Sequence, residues 1–297
     1  DAFSRVRTTV RKPGLTTRIL NRLFPQNPGH LAQNVRVIAY VRPHPGRALS
    51  AFAERIRCGY TLHDFSDWLP GALKTDLLVY APRFQAWRTS FGDQFTLRPF
   101  LREELADGDV VVDFFRTVFG RRKFAIAESV NANESLSLKS LAGLLAFNRE
   151  MASLGLPARQ RIPLARVISG GLPSAGDKPR LDRDSLVRID RACREDAKTL
   201  DTEFFGRPLF QAALDKAAGT VTDAPIDLTF GKYFTPAQQA LILDHTQALH
   251  PLVQQGYEEW QQHYQENRMR QNMGQQMDTE GGGDIQKRLH DLAQLLR

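Results

Sequence analysis

Arg42 and Ser50 stand eight residues apart in the stretch VRVIAYVRPHPGRALSAF, residues 35–52. A guanidinium is permanently charged, and its planar fork matches phosphate oxygens with two parallel hydrogen bonds. A hydroxyl in or near the first turn of a helix lies where unpaired backbone N–H groups and the helix dipole favour an anion. An apolar run, an arginine, a Pro-His-Pro-Gly turn and then a helix carrying a serine together make a coherent phosphate clamp. Pro43 and Pro45 stiffen the approach, and Gly46 has backbone freedom that other residues lack. The plainer alternative is that Arg42 pairs with a carboxylate and that Ser50 merely decorates a helix start.

For the clamp to work, Arg42 must sit beyond the carboxyl end of a strand in an open α/β sheet, where ligands bind. Residues 35–41 meet that need: they are apolar and β-branched almost throughout, as in a strand covered on both faces. A helix follows from Arg47 to about Arg57, with Leu49, Ala53 and Ile56 toward the core. Pro82 marks a helix start, Phe84, Trp87 and Phe91 form its stripe, and Gly92 ends it. Residues 95–100 read as a second strand. Residues 109–119 read as a helix with Val111, Phe114, Phe115 and Val118 inward, stopped by Gly120. Residues 138–154 form a strongly apolar helix, and residues 184–200 an amphipathic one. Thr235-Pro236 is a helix start, with Thr as cap and Pro in the first helical position.

The chain has 297 residues, 42% of them hydrophobic and 25% charged, which is ordinary for a soluble globular protein. No apolar run is long enough to cross a bilayer. The net charge of +7 and an isoelectric point of about 9.6 favour anionic partners: nucleotides, acidic sugars, nucleic acid or an acidic membrane surface. Residues 1–30 are basic, resemble a transit-type leader in composition, and start on Asp, so we expect a fragment or a processed product. Cys58 and Cys193 have no metal-ligand spacing and read as buried thiols, which points to a reducing cytoplasm. We expect a main domain over residues 31–253 and a polar helical tail over residues 254–297, broken at Gly281–Gly283. The tail's last piece, from Asp284, puts Ile285, Leu289, Leu292 and Leu296 on one face. Such a short helix needs a surface, and docking on its own domain is the expectation; pairing with another subunit or a partner is the alternative.

VRVIAYVRPHPGRALSAF resembles the 3′-phosphate-binding segment of sulfotransferases that use 3′-phosphoadenosine 5′-phosphosulfate as sulfuryl donor. In that family an apolar strand ends in Arg and a Ser follows eight residues later, as Arg42 and Ser50 do. FQAWRTSFG (84–92), TLRPF (96–100), DVVVDFFRTVFG (109–120) and NESLSLKSLAGLLAFNR (133–149) resemble successive elements of bacterial, carbohydrate-type members. The likeness covers residues 35–210. It implies a P-loop NTPase-like α/β fold, a helix-rich three-layer domain around a small parallel sheet. It also implies a nucleotide donor, a carbohydrate acceptor and no metal. Lys178 and Arg180, in the loop GGLPSAGDKPRL, match a late basic loop that closes over the 3′-phosphate in the family; otherwise they belong to a mobile surface loop.

The family's phosphosulfate loop, of the form Lys-x-Gly-Thr-Thr, has only one approximate counterpart, KPGLTT at residues 12–17, with one residue inserted and a polar segment before it. An exposed basic turn is the alternative there. The fold is therefore expected to be N-terminally incomplete. His44 reads as a solvated turn residue, and Asp196 and Asp201 as solvated. His245 and His250 have the wrong spacing for one metal-binding face. Tyr257, Trp260 and Tyr264 read as packing of their helix on the domain. Two rivals remain to sulfuryl transfer onto a saccharide hydroxyl. One is a non-catalytic relative that binds a nucleotide or glycan, or scaffolds. The other, disfavoured by dispersed charge and the lack of a recognition motif, is a nucleic-acid-binding protein.

Overall fold

The structure is a computed structural model that describes residues 35–62, 64–120, 124, 135–273 and 281–297. The segment KPGLTT lies outside the described residues. Strands β1 (Val37–Val41) and β2 (Phe95–Pro99) pair in parallel, with Val37 opposite Phe95 and Val41 opposite Pro99. A parallel pair needs a long crossover. Here it contains α1 (His44–Arg57), α2 (Phe65–Leu73) and α3 (Ala81–Phe91). After β2 come α4 (Val110–Phe119), α5 (Leu138–Ser153), α6 (Ala158–Gly170), α7 (Arg183–Leu200), α8 (Leu209–Ala217), the one-turn α9 (Phe230–Tyr233), α10 (Pro236–Asn272) and α11 (Gly283–Leu295). The result is a helix-rich α/β chain with a small parallel sheet. Among the described residues no helix is long and apolar enough to cross a membrane.

The chain divides into two compact units. One takes the residues up to His44, Thr75–Ser129 and Ile189–Lys216; the other takes Pro45–Lys74, Val130–Arg188 and Ala217–Arg297.

In the first unit only the last residue of each strand, Val41 and Pro99, is buried, and the rest are half-buried. Sequence predicts coverage on both faces; among the described residues the sheet has two strands and covers less. Leu78, Ala81, Phe84, Ala197, Leu200 and Phe210 are buried core residues of this unit. Asp109 caps α4 by accepting from the N–H groups of Val111 (2.7 Å) and Val112 (3.1 Å), and Gly120 ends it at φ 63°. The inward face of α4 differs from the apolar stripe that the periodicity predicts. Phe114 is 40% exposed and Val118 37%, whereas Asp113 is 2% exposed. A buried carboxylate must keep its donors. The helix turns Asp113, not the phenylalanine, toward them.

The second unit is built around α5, which is buried on nearly every side through Leu141, Leu144, Leu145, Phe147, Asn148 and Met151. A helix apolar all round belongs in a core. Its start is capped by Ser137, whose Oγ accepts from the Ser140 N–H at 3.1 Å. α1 buries Ala48, Phe52 and Ile56, leaving Leu49 and Ala53 half-buried. The face is set by Phe52, which meets Phe65 edge-on at 5.2 Å.

α10 starts with a capping box between Thr235 and Gln238, as the Thr-Pro pair predicts, and runs unbroken for 37 residues. Residue 254, the expected start of the tail, therefore lies inside a helix. α11 packs on α10 and α6. Its Ile285, Leu289, Leu292 and Leu296 are all buried, so the apolar face docks on its own unit. Trp260 packs there too, its Nε1–H donating to the Gln286 side chain at 3.2 Å. The approach is close. A Cβ on Gly143 would stand 2.5 Å from Leu296, and one on Gly171 would stand 2.9 Å from the Cβ of Ala293.

Candidate anion-binding site

The site is built at the carboxyl ends of the two strands. The carbonyl of Val41 accepts from the Phe100 N–H at 2.7 Å, which sets Arg42 and Phe100 side by side, each one residue past its strand. The Arg42 guanidinium carbon lies 4.8 Å from the centroid of the Phe100 ring. A guanidinium over an aromatic face is attracted by the negative face of the ring, and the contact fixes its plane. Only Pro43 separates Arg42 from the first residue of α1.

That helix begins at His44, three residues earlier than Arg47. Pro45 explains the difference, since its φ is already helical and its missing N–H costs nothing in a first turn. Two corrections follow. Ser50 is the seventh residue of α1, half-buried in its second turn, and Gly46 is an ordinary helical residue. Pro43 and Pro45 also remove two of the amides that a helix start normally offers, leaving those of His44 and Gly46.

Arg42 belongs to the first unit; Ser50, Lys178 and Arg180 belong to the second. Lys178 is exposed, and its Nζ donates to the carbonyls of Ser135 and Ser174, tying its loop to the start of α5. The same loop offers the Asp177 carbonyl to the Leu138 N–H at 2.8 Å. Arg180 is exposed.

Two residues before Arg42, Tyr40 belongs to a polar cluster that sequence reasoning missed. Its hydroxyl donates to Asp113 Oδ2 at 2.7 Å. Arg98 donates to the same carboxylate, and the Ala106 N–H adds a further bond at 3.0 Å. Burial pushes the Tyr40 phenol up, and the bond to Asp113 adds to it, to about 12. Burial also pushes the Asp113 carboxyl up, but the bonds from Arg98, Tyr40 and Ala106 outweigh it and hold the group below the usual carboxylate range. The signal in the sequence was a lone acid in the apolar run VVVDFF.

Three residues expected to be solvated are not. His44 is fully buried, with Nε2 2.9 Å from Asp196, and its ring stacks on Tyr80 at 4.7 Å. Asp196 also accepts from the backbone N–H groups of Tyr80 and Ala81. Asp201 is buried, and accepts from the N–H groups of Phe210 (2.8 Å) and Gln211 (3.0 Å) at the start of α8. In each case an acidic side chain caps a helix whose own cap position offers no oxygen. Cys193 is buried and its thiol is pushed up to about 12 by burial. Cys58, expected to be buried, is half-exposed, between Glu54 and Arg166. Among the described residues no group of three or more His, Cys, Asp or Glu is placed to hold a metal ion.

No family model, no curated protein and no solved structure matches this chain. What the fold and site define is a class: a helix-rich α/β protein that presents an arginine at the carboxyl end of a parallel strand.

Proposed function

We propose that this chain binds 3′-phosphoadenosine 5′-phosphosulfate at the carboxyl end of β1 and is a sulfotransferase-like protein that transfers the sulfuryl group to a saccharide hydroxyl. The carrying observation is the place of Arg42. It follows a parallel strand directly and leads through one proline into a 14-residue helix that bears Ser50. In this reading Arg42 grips the ribose 3′-phosphate through its fork, and Ser50, Lys178 and Arg180 are the further donors that the resemblance to sulfotransferases assigns to that phosphate. Sulfuryl transfer, like phosphoryl transfer, is an in-line displacement in which positioning and electrostatics do most of the catalysis. Anchoring the 3′-phosphate fixes the far end of the donor. His44 is not the base in this reading, because its ring is buried and its Nε2 is engaged by Asp196. That engagement favours the second reading, a relative that binds the nucleotide or a glycan without transferring sulfur.

Calorimetry with adenosine 3′,5′-bisphosphate tests the site. The expected result is binding that is lost in Arg42→Ala and weakened severalfold in Ser50→Ala, on the order of one charge-assisted and one neutral hydrogen bond respectively. Affinity indifferent to Arg42 sinks the clamp. Transfer of labelled sulfate from the donor to a polysaccharide separates the two readings.

A further inference from the structure

We infer that Asp196 is a positioning residue for Arg42, acting through His44; the inference deepens the nucleotide-binding reading and rests on it for the role of Arg42. Arg42 and His44 are joined by Pro43 alone. A proline has its φ locked, and the residue before it is biased toward extended backbone, which Arg42 meets as the continuation of β1. Few soft backbone torsions are left between the two, so whatever holds His44 fixes the point from which the Arg42 side chain leaves the backbone, and its ring contact with Phe100 fixes the other end. His44 is held on several sides. Tyr80 stacks on its ring at 4.7 Å, Phe210 meets it edge-on at 5.8 Å, and Nε2 lies 2.9 Å from Asp196 Oδ2.

Asp196 is itself fixed. Its Oδ1 lies 2.8 Å from the Ala81 nitrogen and 3.0 Å from that of Tyr80, and its Oδ2 lies 3.1 Å from the latter. One carboxylate thus joins three elements: the C-terminal part of α7, the start of α3 and the head of α1. An ionised carboxylate only accepts, so Nε2 of His44 must carry a proton. Nδ1 is buried without a hydrogen-bond partner among the described residues. The ring therefore has one polar anchor, and that anchor is Asp196.

Asp196→Asn tests this. Asparagine keeps an oxygen for the Tyr80 and Ala81 amides but turns a donor toward Nε2, which forces the ring proton onto Nδ1. Nitrogen NMR of the histidines is expected to show that reversal. The Arg42 Nε–H resonance, which lies in the ring current of Phe100, is expected to shift with it. Affinity for adenosine 3′,5′-bisphosphate is expected to fall about tenfold, the scale of one misaligned charge-assisted bond. His44→Phe keeps the stacking on Tyr80 and removes the anchor, and is expected to weaken binding similarly if Asp196→Asn does not fold. A purely structural role lowers the melting temperature but leaves the folded protein's affinity and the Arg42 resonance unmoved, which overturns the inference. An unmoved resonance overturns it even where no nucleotide binds. Binding that ignores Arg42 itself overturns the nucleotide reading instead.

Discussion

Arg98 meets Asp113 through two bonds at once, Nε to Oδ2 at 3.0 Å and a terminal nitrogen to Oδ1 at 2.5 Å. The fork-on-carboxylate geometry is the strong form of an ion pair. It ties β2 to α4, and through Tyr40 it ties β1 to both.

Breaking this pair is expected to destabilise the first unit. Asp113→Ala leaves Arg98 and the Tyr40 hydroxyl without their acceptor. We expect a loss of roughly 2 kcal/mol in urea unfolding, below the figure for a fully buried pair because the Arg98 side chain is 32% exposed. The effect depends on pH with a definite sign. The folded Asp113 carboxyl titrates below its ordinary value of 3.8. Its contribution is therefore fully present above that value and is lost as pH falls through the folded one. The stability gap between the parent protein and Asp113→Asn is expected to be constant near neutrality and to close in acid; a gap that persists unchanged in acid refutes the assignment.

Gly143→Ala is expected to act at a distance in sequence. The added methyl meets Leu296 at 2.5 Å and the Phe234 ring at 3.1 Å, and both residues are buried. Overpacking of this kind costs about 1–3 kcal/mol. Trimming the opposing side chain by Leu296→Ala in the same protein is expected to recover part of the loss, measured as the coupling in a double-mutant cycle. Strict additivity means that the two residues do not meet.

Deleting residues 284–297 removes the buried Ala293 and four larger buried side chains, Ile285, Leu289, Leu292 and Leu296. Their burial is worth on the order of 6 kcal/mol, comparable with the whole stability of a typical domain. The shortened protein is expected to bind a hydrophobic dye strongly and to lose its cooperative melt in calorimetry. An undiminished melting transition contradicts the docking of α11.

Much of the scaffold is legible in the residues themselves. Thr235-Pro236, Gly120 and the alternating four- and three-residue spacing of Ile285, Leu289, Leu292 and Leu296 work through contacts a few residues apart, and each does in the structure what it signals in the sequence. The place of Arg42 past a strand is of the same kind. What was not legible depends on long-range partners. Asp113 accepts from a tyrosine 73 residues away, and His44 pairs with an acid 152 residues on. Periodicity identifies an apolar stripe, but it is blind to a charge whose donors offset the cost of burying it. So α4 faces differently from its hydrophobic rhythm, and three polar residues taken for solvent-facing are interior caps and anchors. The early start of α1 has a local cause, the tolerance of a first helical turn for Pro45.

The contact between Gly143 and Leu296 also bears on how the molecule is made. The second unit draws on residues as early as Pro45 and as late as Leu296. A chain made from its N-terminus therefore exposes part of the apolar side of α6 until α11 has been made. Closure over contacts so far apart in the chain has high contact order, hence is slow. In a crowded cell, the interval before it is when a chaperone has most to offer this protein.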